Sequence, residues 1–411
     1  MKITVTNTAL LNAGDAAIMV GTEAILRDAF GEHVSLGVRD QQARDSAAAY
    51  RPDRVEATLY HALESLPPET KRPGLVRLLA AAALWRTPLA GLMRRALPPQ
   101  IRSVLDAYAE SDLIVSAGGT YLVPHYRIRP KLLELLVARL LRRPYVLFTQ
   151  SLGPFPHDRT LLRIIFSGAS AILVRDSRSV EHLLDLGVRS DKIAICADAA
   201  FALAGRPTPV PSPRNKLRIG ISVRDWPHGG EESAAEMRAY ISAVAKLVRH
   251  LTDGSGAEVT FVSTCQGAGS YWTDDSAVAD QVLAEAGPGY HDRARVDRSF
   301  RTPQQLMDHL SQYDMFVSTR MHGAILALCA GVPVLPIAYE FKTNELFRRL
   351  GMEEIVQDLA TISGTALCRT CKTILDNRGT YRDRIRAILP DLRESAYAAG
   401  QTTAIAMERN R

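Results

Sequence analysis

Apolar positions along the chain follow two rhythms that take turns. Short continuous runs, "KITVT", "VSLGV", "DLIVS", "YVLFT", "AILVR" and "KIAIC", alternate with stretches in which apolar residues recur at helical spacing. After residue 216 the same alternation restarts with "LRIGISV", "EVTFVS", "DMFVS" and "VPVLPIA". Strands that alternate with helices imply parallel sheets wrapped by helices, so the pattern predicts an α/β protein with one sheet in each half. Between the halves lies "GRPTPVPSPRNK", Gly205–Lys216, where prolines at 207, 209, 211 and 213 rule out helix and central strand. The expected division is a first domain over 1–205, a Pro-rich linker over 206–216, a second domain over 217–385 and a C-terminal helix or tail over 386–411.

One βα unit shows how local signals carry the reading. "RDSRSVEHLLDLGV" (Arg175–Val188) follows the run "AILV", offers Asp176 or Ser177 as N-cap, repeats apolar Val180, Leu183 and Leu184, and stops at Gly187.

Composition narrows the class without changing it. The 411 residues exceed one ordinary core, and 46% hydrophobic with 23% charged residues suits a globular enzyme. A net charge of +6, from 50 Lys+Arg against 44 Asp+Glu, with no basic run, fits a small anionic substrate and no nucleic acid. Five cysteines, an odd number, argue against a disulfide framework and for a reducing cytoplasm. Cys368 and Cys371 form a CxxC, but no second Cys/His pair accompanies it. "MKITVTNTAL" turns polar too early for a leader peptide, which again points to the cytoplasm. The stretch 75–97, "LVRLLAAAALWRTPLAGLMRRAL", falls far short of the ~20 apolar residues a bilayer span requires. It reads either as a core or lid helix pair or as a basic amphipathic pair making peripheral contact with the inner face of a membrane.

In open α/β sheets, ligands bind beyond the carboxyl ends of the strands. There the first half offers Asn12, Gly14 and Asp15 after its first strand, Gly118 and Gly119 after "DLIVS", and Gln150 after "YVLFT". Each glycine also fits a tight turn that needs positive φ. No GxGxxG or GxxxxGK[ST] is present, which disfavours a nicotinamide enzyme and a P-loop ATPase. In the second half Arg224, Arg320 and Lys342 stand at strand ends next to helix starts, where backbone N–H groups add partial positive charge. That combination suits a phosphate or a carboxylate. His322 falls in the first turn of the helix "GAILALCAG", close to any anion held there, and is a candidate general acid or base. His125, beyond the Gly118-Gly119 turn, is a second histidine placed to meet substrate.

With these residues in view, the chain resembles the polysaccharide pyruvyl transferases. "NAGDAAI" is similar to that family's N-x-GD-x-AI, "SAGGTYL" to its glycine-rich second loop and "QSLGPF" to its Q-S-[IL]-GP-F. "VRDSRSVEHLLDLGV" followed by "CADAAF" resembles its central signature. "STRMHGAILALCAGVPVLPIAYEFK" resembles its S-x-R-L-H…G-V-P…Y-x-x-K. The departures are Met321 for leucine, Thr120 for a third glycine and Ala199 for proline, and none removes a charge. The stretch from about Pro67 to Gln100 matches no family motif, so the acceptor stays open.

The resemblance implies two Rossmann-like domains facing across a cleft, a GT-B-like architecture with the acceptor on the N-terminal side and phosphoenolpyruvate on the C-terminal side. It implies transfer of a pyruvyl group from phosphoenolpyruvate, as co-substrate, onto a sugar of a cell-surface polysaccharide or glycolipid precursor, with a lipid-linked carrier left open. The product is a ketal bridging two hydroxyls, and no metal or cofactor is required. Arg320 and Arg224 are then expected on the anionic ends, Lys342 on the leaving phosphate, His322 in proton transfer and Asp15 as base toward the sugar. The alternatives are a GT-B glycosyltransferase or a sugar-nucleotide epimerase, with Glu340 or Glu345 on a ribose, and a non-catalytic scaffold. The retained charged loop residues speak against the scaffold.

Overall fold

A computed structural model of the chain describes residues 1–50, 55–205, 215–225, 231–265, 274–290 and 292–409. The prolines of the expected linker lie outside the described residues. The backbone groups into two compact units. Unit 1 comprises Met1–Leu10, Ile18–Ala202 and Glu394–Arg411, and unit 2 comprises Leu11–Ala17 and Leu203–Arg393.

Unit 1 carries β1 (Lys2–Thr8), β2 (Ser35–Asp40), β3 (Val55–Ala57), β4 (Leu113–Ser116), β5 (Gly119–Leu122), β6 (Tyr145–Leu152), β7 (Ala171–Val174) and β8 (Ile193–Ile195). Their order is β3-β2-β1-β4-β6-β7-β8, with β5 paired to β6, and the described pairings are parallel. The central strands β4, β6 and β7 are buried end to end, which is why they read as continuous apolar runs.

Unit 2 carries β9 (Arg218–Ser222), β10 (Glu258–Val262), β11 (Ala294–Asp297), β12 (Met315–Ser318), β13 (Val334–Ala338) and β14 (Gln357–Asp358). Its order is β11-β10-β9-β12-β13-β14, again parallel throughout the described pairs. Both sheets therefore start in the middle and wind outward in two directions, which is the Rossmann-like order, with switch points between β1 and β4 and between β9 and β12.

Local chemistry explains the elements. The helix Ser177–Asp185 starts at Asp176, whose side chain accepts from Ser179 N at 2.7 Å, and the chain turns away at Gly187 with φ 88°. Its buried face runs Ser179, Leu183 and then Leu186 at the i, i+4, i+7 spacing of one helical stripe, so Leu184 is exposed where the sequence pattern places it inside. The helix Arg378–Glu408 lends its residues from Glu394 onward to unit 1. There Ala197 N donates to Ser395 Oγ at 3.0 Å, and Gly400 lies so close to Ile25 that an added Cβ would stand 2.8 Å from its Cγ2.

The stretch 75–97 contributes to the helices Pro68–Ala83 and Ala90–Arg95. The first buries Gly74, Leu78, Ala81 and Ala82, and the second buries none of its residues. Leu75, Val76, Leu89 and Leu92 are exposed. Among the described residues no helix is long and apolar enough to cross a membrane. All five cysteines are free thiols, and burial pushes the Cys371 thiol of the CxxC up to about 12.

Candidate functional site

The switch point of unit 2 gathers the residues with chemical potential. β9 and β12 are hydrogen-bonded neighbours, and the chain leaves them through Arg224 and Arg320. β13, on the far side of β12, leads into Tyr339, which Arg224 and Lys342 approach. The Arg224 guanidinium carbon stands 4.2 Å from the centroid of the Tyr339 ring and Lys342 Nζ 5.3 Å from it. Both distances are within cation–π range. Arg320 follows β12, the strand between β9 and β13, so the three cations stand just beyond neighbouring strands. Lys342 pairs with Glu340 at 2.8 Å, both side chains nearly buried.

Arg320 is held by a residue that sequence reasoning missed. Its Nε donates to Asp275 Oδ1 at 3.1 Å, and its Nη2 donates to the same oxygen. The other carboxylate oxygen of Asp275 accepts from Cys265 N at 2.9 Å, Thr264 N at 3.3 Å and Thr264 Oγ1 at 3.2 Å. Asp275 is 1% exposed and is thereby locked between β10's exit and Arg320. Burial alone pushes the Arg320 guanidinium down, but the attraction of Asp275 outweighs it and holds the charge well above its ordinary range. Cys265 is the opposite case: burial pushes its thiol up to about 12, with Arg320 and Arg224 pulling down and Asp275 and Asp15 pushing up. Asp275 N also donates to Cys265 O at 2.9 Å, so Cys265 is tied to Asp275 and through it to Arg320.

Asp15 and its neighbours reach this cluster through the chain's first crossover. Asn12 forms an isolated antiparallel bridge with Cys265, Ala13 N donates to Thr264 O at 3.0 Å, and the whole segment Leu11–Ala17 groups with unit 2. Asn12 Oδ1 accepts from Gly14 N at 2.9 Å and its carbonyl from Ala16 N at 2.9 Å, which starts the helix Ala13–Phe30. Gly14 is glycine for a reason other than a turn, since it is absent from the positive-φ glycines. A Cβ there would stand 2.7 Å from His322 Cβ and 2.8 Å from its Nδ1, so the bare backbone is what lets the imidazole lie against it.

Four helices thus begin at the cluster: Ala13–Phe30, Asp275–Ala286, Met321–Cys329 and Phe341–Arg349. Their first-turn N–H groups add positive potential to Arg224, Arg320 and Lys342. Asp15, Asp275 and Glu340 oppose it. The arrangement can bind a small dianion, hold its ends at separate cations, and present His322 for proton transfer.

The remaining expected residues lie in unit 1. Gln150 is buried and ties β4 to β6: its Nε2 donates to Ala117 O at 2.8 Å and to Tyr121 Oη at 2.6 Å, and its Oε1 has no partner. Gly118 has no positive φ either; a Cβ there would stand 2.7 Å from Thr149 Oγ1 and 2.8 Å from Ile18 Cγ2. Gly119 does adopt φ 134° and opens β5, where a plain turn is expected from sequence. His125 is exposed beside Tyr126, with ring centroids 4.6 Å apart. Arg175 of the central signature is a scaffold residue: it donates to Ser151 Oγ at 2.8 Å and Thr120 Oγ1 at 2.5 Å, and pairs with Asp198.

Two doubly wound parallel sheets, the second with its polar residues clustered at the switch point, define an α/β protein of GT-B-like fold with two Rossmann-like units. The chain belongs to the polysaccharide pyruvyl transferase family, whose model matches residues 12–340. It is a transferase of polysaccharide biosynthesis. A relative, the amylovoran biosynthesis protein AmsJ of Erwinia amylovora, is 26% identical over 298 residues, covering 69% of this chain and 70% of that protein. Among solved structures, Anabaena Alr3699/HepE in complex with UDP-glucose superposes with a TM-score of 0.59 at 14% identity over 100% of both chains. The S. aureus MnaA–UDP co-structure gives 0.57 at 12%, covering 99% of this chain and 94% of that one. At such identities the likeness is one of fold.

Proposed function

We propose that the protein transfers the pyruvyl group of phosphoenolpyruvate to a sugar of a polysaccharide precursor and closes it as a ketal. The observation that carries this reading is the placement of Arg224, Arg320 and Lys342 just beyond the neighbouring strands β9, β12 and β13, with Arg224 and Lys342 against the Tyr339 ring, because phosphoenolpyruvate brings a phosphate and a carboxylate that need separate cations. Arg320, rigidly oriented by Asp275, and Arg224 bind the two anionic ends. Lys342 stabilises the phosphate as it departs.

In the chemistry, a proton from His322 adds to the methylene carbon, and one sugar hydroxyl attacks the neighbouring carbon as its own proton passes to a base, for which Asp15 is the candidate. The C–O bond to phosphate then breaks, and inorganic phosphate leaves. The second hydroxyl adds to the resulting cation, loses its proton and completes the ketal. One phosphoenolpyruvate and one diol yield one ketal and one phosphate.

In the nucleotide-sugar reading, Glu340 or Glu345 would meet a ribose. Both are engaged in ion pairs, Glu340 with Lys342 at 2.8 Å and Glu345 with Arg348 at 2.7 Å. The test of the reaction is incubation with carbon-labelled phosphoenolpyruvate and a glycan-precursor fraction. The expected result is label in the glycan, released as pyruvate by mild acid, with phosphate formed in equal amount. Label that stays in solution, with no phosphate formed, would overturn the reading.

A further inference from the structure

A cavity of about 670 Å³ lies wholly within unit 1 and shares no lining residue with the cluster around Arg320. That volume is ordinary for a small-molecule site. It lies between the helices Pro68–Ala83 and Ile128–Leu140 and the loop that follows β6. Its walls include Leu79, Leu133, Leu136, Phe155 and Leu161, which rest on the hydrophobic core of unit 1. Leu75 and Tyr126, both lining residues, are 36% and 37% exposed, and Val76 on the same helix as Leu75 is 67% exposed. Apolar surface therefore continues from the cavity out toward solvent.

The polar groups lining it are mostly cationic. Lys71, Arg72, Arg127 and Arg129 face only two carboxylates, Glu64 and Asp158, which pair with Lys71 at 2.7 Å and Arg129 at 3.0 Å. Arg72 and Arg127 are exposed and in excess of those carboxylates. An apolar interior with surplus arginines matches one chemistry, a long hydrocarbon chain that ends in an anion. A free sugar would leave the leucine walls against water, and a free phosphate would make no use of them.

We propose that this cavity binds a lipid phosphate, with the hydrocarbon chain along Leu79, Leu133 and Leu136 and the phosphate at Arg72 and Arg127. If the proposed reaction holds, the lipid is the carrier of the sugar acceptor. The binding itself stands apart from that reaction.

The experiment is calorimetric titration of the full chain with dodecyl phosphate below its micelle concentration, with dodecanol and inorganic phosphate as partial probes. Dodecyl phosphate is expected to bind, and inorganic phosphate is not expected to reproduce that binding. The exposed double variant Arg72→Glu/Arg127→Glu is expected to bind dodecyl phosphate at least ~10-fold more weakly. A second variant, Leu79→Gln, should weaken binding with both arginines in place. No binding by the wild type, or equal affinity in wild type and double variant, would overturn the proposal. Phosphoenolpyruvate titrated into the same double variant should bind as in wild type, so loss of the donor reading and loss of the lipid site give different patterns.

Discussion

Asp275 does more for the site than its place in the sequence announces. A carboxylate that is 1% exposed accepts from Arg320 on one oxygen and from Cys265 and Thr264 on the other. Its removal leaves a buried guanidinium without its counter-charge, so Asp275→Ala is expected to cost about 3–5 kcal/mol in denaturant unfolding. A change below about 1 kcal/mol would mean that the pair is solvated and does not orient Arg320. Gly14 carries the second residue-scale prediction. In Gly14→Ala the new methyl would stand 2.7 Å from His322 Cβ, so the imidazole must move. Pyruvyl transfer from labelled phosphoenolpyruvate should fall by at least ~10-fold, and because His322 Cβ is fixed to its backbone the overlap should also lower thermal stability, by about 1–3 kcal/mol. Unaltered turnover would remove the imidazole's position from the mechanism. Residues such as Arg320 and His322 were legible because charge is rare at a strand-to-helix corner. Asp275 was not, since the second aspartate of "WTDD" looks like part of a helix cap, the role Asp274 in fact takes, until the fold brings Arg320 beside it.

Among elements, the buried strands were readable, as was the edge strand β8 from "KIAIC", and the other edge strands were not. β1, β4, β6, β7, β9, β10, β12 and β13 coincide with apolar runs because both faces are covered by helices. β3, β11 and β14 stand at sheet edges with three, four and two residues, too few to set a period, and β5 hides behind a glycine pair. Polar ties between elements were equally hidden. Glu134, fully buried on the helix Ile128–Leu140, accepts from Tyr108 Oη, from Thr6 Oγ1 at 3.3 Å and from Tyr60 N at 3.1 Å. Burial raises its carboxyl from the ordinary 4.5, and these hydrogen bonds only partly oppose the rise. A raised acid holds its proton longer in the folded state, so its contribution favours folding at low pH and is lost as pH rises through the raised value. The fall in melting temperature from about pH 5 to about pH 8 should therefore be smaller in Glu134→Gln than in wild type. An identical fall in both would show that Glu134 is ionised throughout.

For the whole molecule, chain order and spatial grouping differ in a way that bears on the chemistry. The segment Leu11–Ala17 leaves unit 1's first strand to join unit 2, and residues from Glu394 return to unit 1 at the other end of the chain. Hydrophobic periodicity reports which face an element buries and not which sheet it joins, so neither exchange is visible in the sequence. One consequence is that Asp15, His322, Arg224, Arg320 and Lys342 all belong to a single unit. Donor binding should then need no residue of unit 1. The measurement that tests the donor and the role of Arg320 most directly is calorimetric titration of the wild type, and of Arg320→Ala, with phosphoenolpyruvate and separately with UDP. Phosphoenolpyruvate is expected to bind the wild type, Arg320→Ala to weaken that binding by at least ~100-fold, about 2.7 kcal/mol, and UDP not to bind. Equal affinity of the two proteins for phosphoenolpyruvate, or binding of UDP alone, would contradict this expectation.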